Sequence, residues 1–323
     1  MKTIHVSQDD RHDFVSVSAA LAALPENHTE EICIYIHKGI YKEQLTIRTP
    51  YLTLIGENAT ETVLTYDLYA RMPSSDVGKL GTFRSYSCLI DTHDFTAKNL
   101  TFENSAGIGP VVGQALAVYA DGDRLLFEDC RFLGGQDTLF TAPLPPVEIE
   151  ANGFIGPKQY EDRLPGRHCY RRCYLEGEVD FIFGGATAYF EECEFYSKDI
   201  GKEINGYVTA ASTPQGQEYG YVMKSCRFTG NCPPRSVYLG RPWREFARTV
   251  LLDCEINEHI CPEGWHDWNK PAARKTAFYA EYGSYGASGD IGRRPEWIKR
   301  LSDSDSLGFT KERVLAGNDG WNP

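Results

Sequence analysis

Asp137 and Asp180 each close a copy of one pattern, Cys-x-(Phe/Leu)-x-Gly-x-x-Asp, which runs from Cys130 and again from Cys173. In both copies the Asp falls seven residues after the Cys. If the two segments are adjacent coils of a stacked structure, the aspartates stand on neighbouring parallel strands with backbones about 5 Å apart. Two carboxylates that close cannot both ionise comfortably. One stays a carboxylate, fit to act as base or nucleophile, while the other's pKa rises and it becomes an acid. Spacing alone leaves another reading open, two solvated aspartates at turn ends. The neighbours weigh for chemistry. Val179-Asp180-Phe181-Ile182-Phe183-Gly184 alternates, so Asp180 projects away from Val179 and Phe181, and an Asp in so apolar a strand is locally costly. Gln136, with two amide donors, precedes Asp137; a regular strand would face them opposite ways, so a shared site requires a bend or bulge there.

The elements that must position this pair are visible in the cysteines. Cys130, Cys173, Cys193, Cys226 and Cys254 each have an aromatic or aliphatic residue shortly before and another two after, as in Phe190-Glu191-Glu192-Cys193-Glu194-Phe195. A degenerate copy at 95–102 puts Asn99 at the Cys position, and from there the steps are 31, 43, 20, 33 and 28 residues. Irregular periods of this size, with short β-branched and aromatic strands and no helical periodicity between them, indicate an all-β solenoid, a parallel β-helix. The repeated Cys is then an inward ladder of small, soft side chains, with no role as a catalytic thiol. Residues 13–24, stopped by Pro25, suit a short amphipathic helix capping the open first coil. Residues 292–323 lose the strand pattern and read as a helix and loop tail. Residues 1–323 form one domain, interrupted by a proline-rich loop at 141–168 just after Asp137.

Composition narrows the partners. A net charge of −12 disfavours nucleic acid and anionic membrane, and no apolar run approaches membrane-spanning length. An acidic polymer is received only where its charges are masked or where local Arg and Lys residues meet it. The ten cysteines show no zinc-ligand spacing; His259, Cys261 and His266 make only a loose cluster, so no metal and no cofactor are expected. The first residues lack a leader-like apolar stretch, which leads us to expect a cytoplasmic protein, or a secreted one whose leader has been removed. A monomer is expected.

At this point the chain resembles the pectin methylesterase (pectinesterase) family. The resemblance runs from Asp13-Phe14-x-Ser16-Val17 through Gly39-Ile40-Tyr41-x-Glu43 to Gly320-Trp321-Asn322-Pro323. Four signatures lie in family order: Gly113-Gln114-Ala115-Leu116-Ala117, Gln136-Asp137-Thr138-Leu139, Val179-Asp180-Phe181-Ile182-Phe183-Gly184 and Leu239-Gly240-Arg241-Pro242-Trp243. The resemblance implies a right-handed parallel β-helix that removes methyl groups from C6 esters of galacturonate in pectin or methylated oligogalacturonides. It implies Asp180 as nucleophile, Asp137 as general acid and then base, and Gln114 and Gln136 at the oxyanion. Arg241 would hold Asp180, and Trp243 would line a sugar subsite. Trp265 is a second subsite candidate, with core packing as its competing reading. Three features depart from the family. Gly135 stands where an aromatic often precedes the Gln-Asp-Thr-Leu run, Tyr119 replaces a familiar Arg, and the 141–168 loop is much longer than in plant enzymes.

Other classes stay in view. Two carboxylates about 5 Å apart also suit a retaining glycoside hydrolase on polygalacturonate, although Gln114, Gln136 and Arg241 match an ester oxyanion better than an oxocarbenium ion. A lyase would need a denser acidic cluster. A thioesterase on the same scaffold and a non-catalytic carbohydrate-binding solenoid complete the set.

Overall fold

Short strands too small to bury a face alone stack here coil upon coil. The computed structural model describes residues 2–9, 11–25 and 29–323. Among these, the strands form three parallel sheets of eleven, eight and seven strands, with one small antiparallel ribbon between Pro73–Ser74 and Gly78–Lys79. One coil supplies Leu125–Glu128, Arg131–Leu133 and Leu139–Thr141 to the three sheets in turn, and the next supplies Arg167–Arg171, Tyr174–Gly177 and Val179–Gly184. This is the expected parallel β-helix.

The corner between the first and second sheet explains the cysteine repeat. Asp129, Arg172, Glu192, Ser225 and Asp253 all have φ between 52° and 55°, a left-handed conformation that turns the chain in one residue. The residue that follows each is Cys130, Cys173, Cys193, Cys226 or Cys254, buried inside the corner. Each Sγ lies over a main-chain carbonyl of the preceding coil, from Cys254 on Met223 at 3.3 Å to Cys173 on Phe127 at 3.5 Å. The small thiol packs beneath that turn, and its weak S–H donor satisfies an inward carbonyl. Burial pushes the thiols of Cys130, Cys173, Cys193 and Cys226 far up, so these four carry no thiolate.

The degenerate copy is misplaced by one residue in the sequence reading. Lys98 pairs with Glu128 and Thr101 with Arg131, so Leu100, not Asn99, occupies the Cys position. Asn99 is the left-handed corner itself, at φ 56°, where Asn is favoured among non-glycine residues. Its amide also donates to the Gly56 carbonyl at 2.9 Å.

Both ends are covered. The N-terminal helix is shorter than the 13–24 pattern suggests, spanning Val17–Ala22 after the Ser16 N-cap. Glu43, from the Gly39–Glu43 motif, accepts from the Val17 and Ser18 backbone N–H groups at 2.9 and 2.8 Å and fixes the helix on the first coils. The tail carries short helices at Asp303–Ser306 and Lys311–Val314, whose Val314 and Leu315 pack on Cys169, Tyr189 and Val222. It also adds Lys299–Arg300 as a last strand of the large sheet, which the sequence pattern does not signal. Between Leu139–Thr141 and Arg167–Arg171 the inserted loop has no strand or helix.

Inside the solenoid, aromatic rings stack along the axis: Phe127 on Tyr170 at 4.9 Å and Tyr170 on Phe190 at 4.6 Å. Phe190 is fully buried in this column. Phe190→Ala is expected to cost about 3–5 kcal/mol of unfolding free energy, read from urea denaturation. A loss below 1 kcal/mol would show that the column can collapse around the gap.

Candidate active site

The aspartate pair is assembled by register. Leu139 pairs with Ile182, and two residues earlier Asp137 therefore lies level with Asp180 on the next coil. Asp137 donates its backbone N–H to the Val179 carbonyl at 3.0 Å. The bend required for Gln136 and Asp137 to share a site is present. Asp137 has φ 64° and Asp180 φ 52°, and pairing of Val179–Gly184 with Gly206–Ala211 shifts register between Val179 and Ile182. These irregularities break the alternation of the strand and turn both carboxyls out of the core into a cleft.

Gln114 forms a parallel bridge with Gln136, one coil back. Its approach is set by the Gly109–Val112 turn, whose first N–H donates to the buried Glu178 carboxyl at 2.8 Å. Arg241 arrives from the other direction, at the end of Val237–Gly240, with its N–H on the Thr209 carbonyl at 2.9 Å. Its guanidinium donates through Nε to Asp180 Oδ1 at 2.8 Å and through Nη2 to Oδ2 at 2.6 Å. The same guanidinium is held between the rings of Tyr207 and Trp268, 3.8 and 3.6 Å from their centroids. Such a two-sided clamp fixes both the plane and the charge of the Asp180 carboxylate.

The two carboxyls have unequal environments. Both are buried, at 8% and 6% exposure. Burial and then the negative charge of Asp180 push Asp137 well above the usual carboxylate range, with Arg241 and Gln136 opposing more weakly. Burial raises Asp180 too, but the Arg241 charge and hydrogen bonds act directly against it. The Arg241 clamp thus favours the anion on Asp180 over Asp137.

The cleft has a volume of about 410 Å³. Gln114, Gln136, Asp137, Asp180, Arg241 and Trp243 all line it, so six of the seven residues singled out in the sequence meet in one place. Trp243 packs on Phe183 and Phe154 and keeps part of its ring accessible. Trp265 is a correction. It is 2% exposed, stacks on Tyr279 at 4.4 Å, and donates its indole N–H to the buried Glu281 at 2.9 Å, so it belongs to the core. Three residues later, Trp268 lies on the cleft instead, at φ 56°. No periodic signal marks Trp268, because its position follows from an irregular turn. Lys270 and Arg244 also line the cleft and were not singled out.

Two departures from the family pattern have local causes. A Cβ at Gly135 would sit 3.1 Å from the Gly107 carbonyl oxygen and 3.2 Å from Glu178 Oε1, so a side chain here requires both neighbours to give way. Tyr119 is fully buried and packs edge-on against Phe140 at 4.7 Å and Phe83 at 5.9 Å, in an apolar cluster under the cleft.

Comparison with known proteins places this geometry. The pectinesterase family model matches residues 3–144 and 159–318. The chain belongs to the pectinesterase family. It is 34% identical to pectinesterase 31 of Arabidopsis thaliana over 95% of this chain and 90% of that protein. It is also 34% identical to the probable pectinesterase/pectinesterase inhibitor 23 of the same plant, across 98% of the chain. The chain spans about half the length of that relative, 53%. Among solved structures it is similar to pectin methylesterase from carrot, with a TM-score of 0.84 and 27% identity, covering 99% of this chain and 95% of that one. Pectin methylesterase PemA from Erwinia chrysanthemi gives 0.80 and 29%, covering 100% and 98%. The fold is thus the right-handed parallel β-helix of this family.

Removing the clamp has a pH-dependent signature. In Arg241→Met the buried Asp180 loses its cation, at an expected cost of about 3–5 kcal/mol near neutral pH. Its carboxyl then holds a proton in the folded state to higher pH than in the unfolded chain. Stability should fall as pH rises between those two pKa values and recover on acidification. Denaturant unfolding of parent and variant from acid to neutral pH measures this; a deficit that does not change with pH would contradict it.

Proposed function

We propose that this chain hydrolyses C6 methyl esters of galacturonate units in pectin, releasing methanol, with Asp180 as nucleophile. The observation that carries this reading is the bidentate Arg241–Asp180 pair beside the buried, proton-holding Asp137. Asp180 attacks the ester carbonyl carbon, and charge develops on the carbonyl oxygen. Gln114 and Gln136, bridged on successive coils at the cleft wall, supply amide donors for that oxyanion. As the C–O bond to the methoxy group breaks, Asp137 gives its proton to the leaving oxygen and methanol departs. Asp137, now a carboxylate, takes a proton from water, and the hydroxide so formed adds to the acyl-enzyme and releases Asp180. Arg241 balances the charge on Asp180 at both stages. Burial works for this cycle because it raises Asp137 while the clamp keeps its neighbour ionised.

The substrate class agrees with the electrostatics. Methyl esters mask the charge of a polyuronide, which lowers repulsion from a chain of net charge −12. Arg244 and Lys270 on the cleft wall can receive free carboxylates of neighbouring sugars, and Trp243 and Trp268 offer ring faces to the pyranose units. A solved pectin methylesterase in complex with a hexasaccharide, 29% identical with a TM-score of 0.82, supports the same polymer class.

Methanol release from methylated galacturonan by variants tests the roles. Asp180→Asn is expected to lower kcat by about 10⁴-fold or more, Asp137→Asn by about 10²–10⁴-fold and Gln136→Ala by about 10²–10³-fold. Near-parental kcat in Asp180→Asn would remove it as nucleophile.

The inserted loop supports a narrower preference, for partly methylated oligogalacturonides over polymer. Ile149, Glu150, Gly153 and Phe154 line the cleft, and residues 145–158 lie outside the family match. Arg244 ties the loop down by donating to the Val147 carbonyl at 3.1 Å. A wall on that side shortens the groove an extended chain must occupy. We expect a higher kcat/KM on methylated trimers than on polymeric pectin; equal or better turnover of polymer rules the preference out.

A further inference from the structure

We propose that His5, His12 and His37 form a binding site for one divalent transition-metal ion, with Zn²⁺ as the probe, that clamps the N-terminal strand to the second coil. Each ring offers one nitrogen, and the three lie within 4.8 Å of one another. His5 Nδ1 and His37 Nε2 are 3.2 Å apart. Two nitrogens bound to tetrahedral Zn²⁺ at about 2.0–2.1 Å stand about 3.3–3.4 Å apart, so this pair already has ligand spacing. The His12 ring lies over His37 with centroids 4.2 Å apart. The His12 nitrogen, within 4.8 Å of the other two, supplies the third ligand.

A carboxylate behind the cluster points the same way. Glu57 Oε2 lies 3.2 Å from His37 Nδ1 and also accepts the Lys38 backbone N–H at 3.0 Å. A carboxylate can only accept, so Nδ1 of His37 carries the hydrogen and Nε2 turns its lone pair toward His5. Metal-bound histidines are oriented in this way by a carboxylate on the far ring nitrogen. Tyr35 closes one side, with its ring edge-on to His37 at 5.0 Å. His12 is exposed, which leaves room for water to complete the coordination. Three imidazoles suit zinc, copper and nickel rather than magnesium or calcium.

The three ligands come from separate segments. His5 lies in Lys2–Val6, the terminal strand of the large sheet; His12 follows in the turn before the cap; His37 follows Ile32–Ile36, the next strand of that sheet. Beyond its pairing with Ile32–Ile36, this terminal strand is held on its outer edge, among the described residues, only by a single bridge to Phe14. Phe14 donates to the His5 carbonyl at 3.1 Å and accepts from Ser7 at 2.9 Å, so the strand is among the segments that open most readily. An ion shared by these segments would hold that strand and the cap together. None of the three histidines lines the cleft, so the ion would act on stability and leave ester hydrolysis alone.

The test uses the full chain, free of any histidine tag and stripped with chelator. Calorimetric titration with Zn²⁺ is expected to show one ion per chain, accompanied by a rise in Tm. His12→Ala should abolish stoichiometric binding and the Tm rise while leaving methanol release unchanged. Glu57→Gln should keep the site but weaken it about 10–100-fold. Absence of a stoichiometric ion in the parent, or parental affinity in His12→Ala, overturns the proposal.

Discussion

Hydrogen bonds between successive coils run along the solenoid axis, and everything placed on one coil is thereby set level with a position on the next. A side chain at one register position meets its counterpart about 5 Å away, whatever the length of the loop between them. The 43-residue step from Cys130 to Cys173 holds a long insertion, yet Phe132 still pairs with Leu175 and Leu139 with Ile182. The insertion is tolerated because it leaves the sheet at Thr141 and returns at Arg167, outside the stacked core. The cysteine corners, the aromatic column and the aspartate pair are three consequences of this one constraint.

The site spends some of that regularity. Left-handed backbone at Asp137 and Asp180, with the slip in pairing beside Asp180, interrupts strands that would otherwise bury both side chains. Left-handed corners elsewhere in the solenoid serve turning and carry whichever residue the surface allows. At these two positions the same conformation presents a carboxyl to the cleft. The resulting burial raises both carboxyls, and the Arg241 clamp opposes that rise at Asp180. The rings of Tyr207 and Trp268 on either face of the guanidinium keep that clamp in place. The Asp180 carboxyl is thus held by residues up to three coils away.

Where sequence reasoning slipped, the cause was local geometry. Asn99 looks like a substitute for Cys because it follows the same apolar lead-in, but Asn suits the left-handed corner and Leu100 takes the inward place. Trp265 follows a glycine in a segment with no strand alternation to mark its facing. It turned inward onto Tyr279 and Glu281, and Trp268 took the accessible side. Gly135 looks like the loss of an aromatic contact until Glu178 and the Gly107 carbonyl are seen occupying that space.

By itself the sequence determined the solenoid, its cysteine corners and the level placement of Asp137 and Asp180, because a repeat with short-range periodicity encodes register directly. It also carried the family signatures that bring Gln114, Gln136, Arg241 and Trp243 to one cleft. Only the tertiary structure decided which carboxyl is paired with a cation, since that depends on an arginine sixty-one residues further along the chain. The same is true of the loop wall, of Trp268 over Trp265, and of the three histidines gathered at the first coils. Those placements arise from turns and insertions whose path is set by what they pack against, and no spacing in the chain records it.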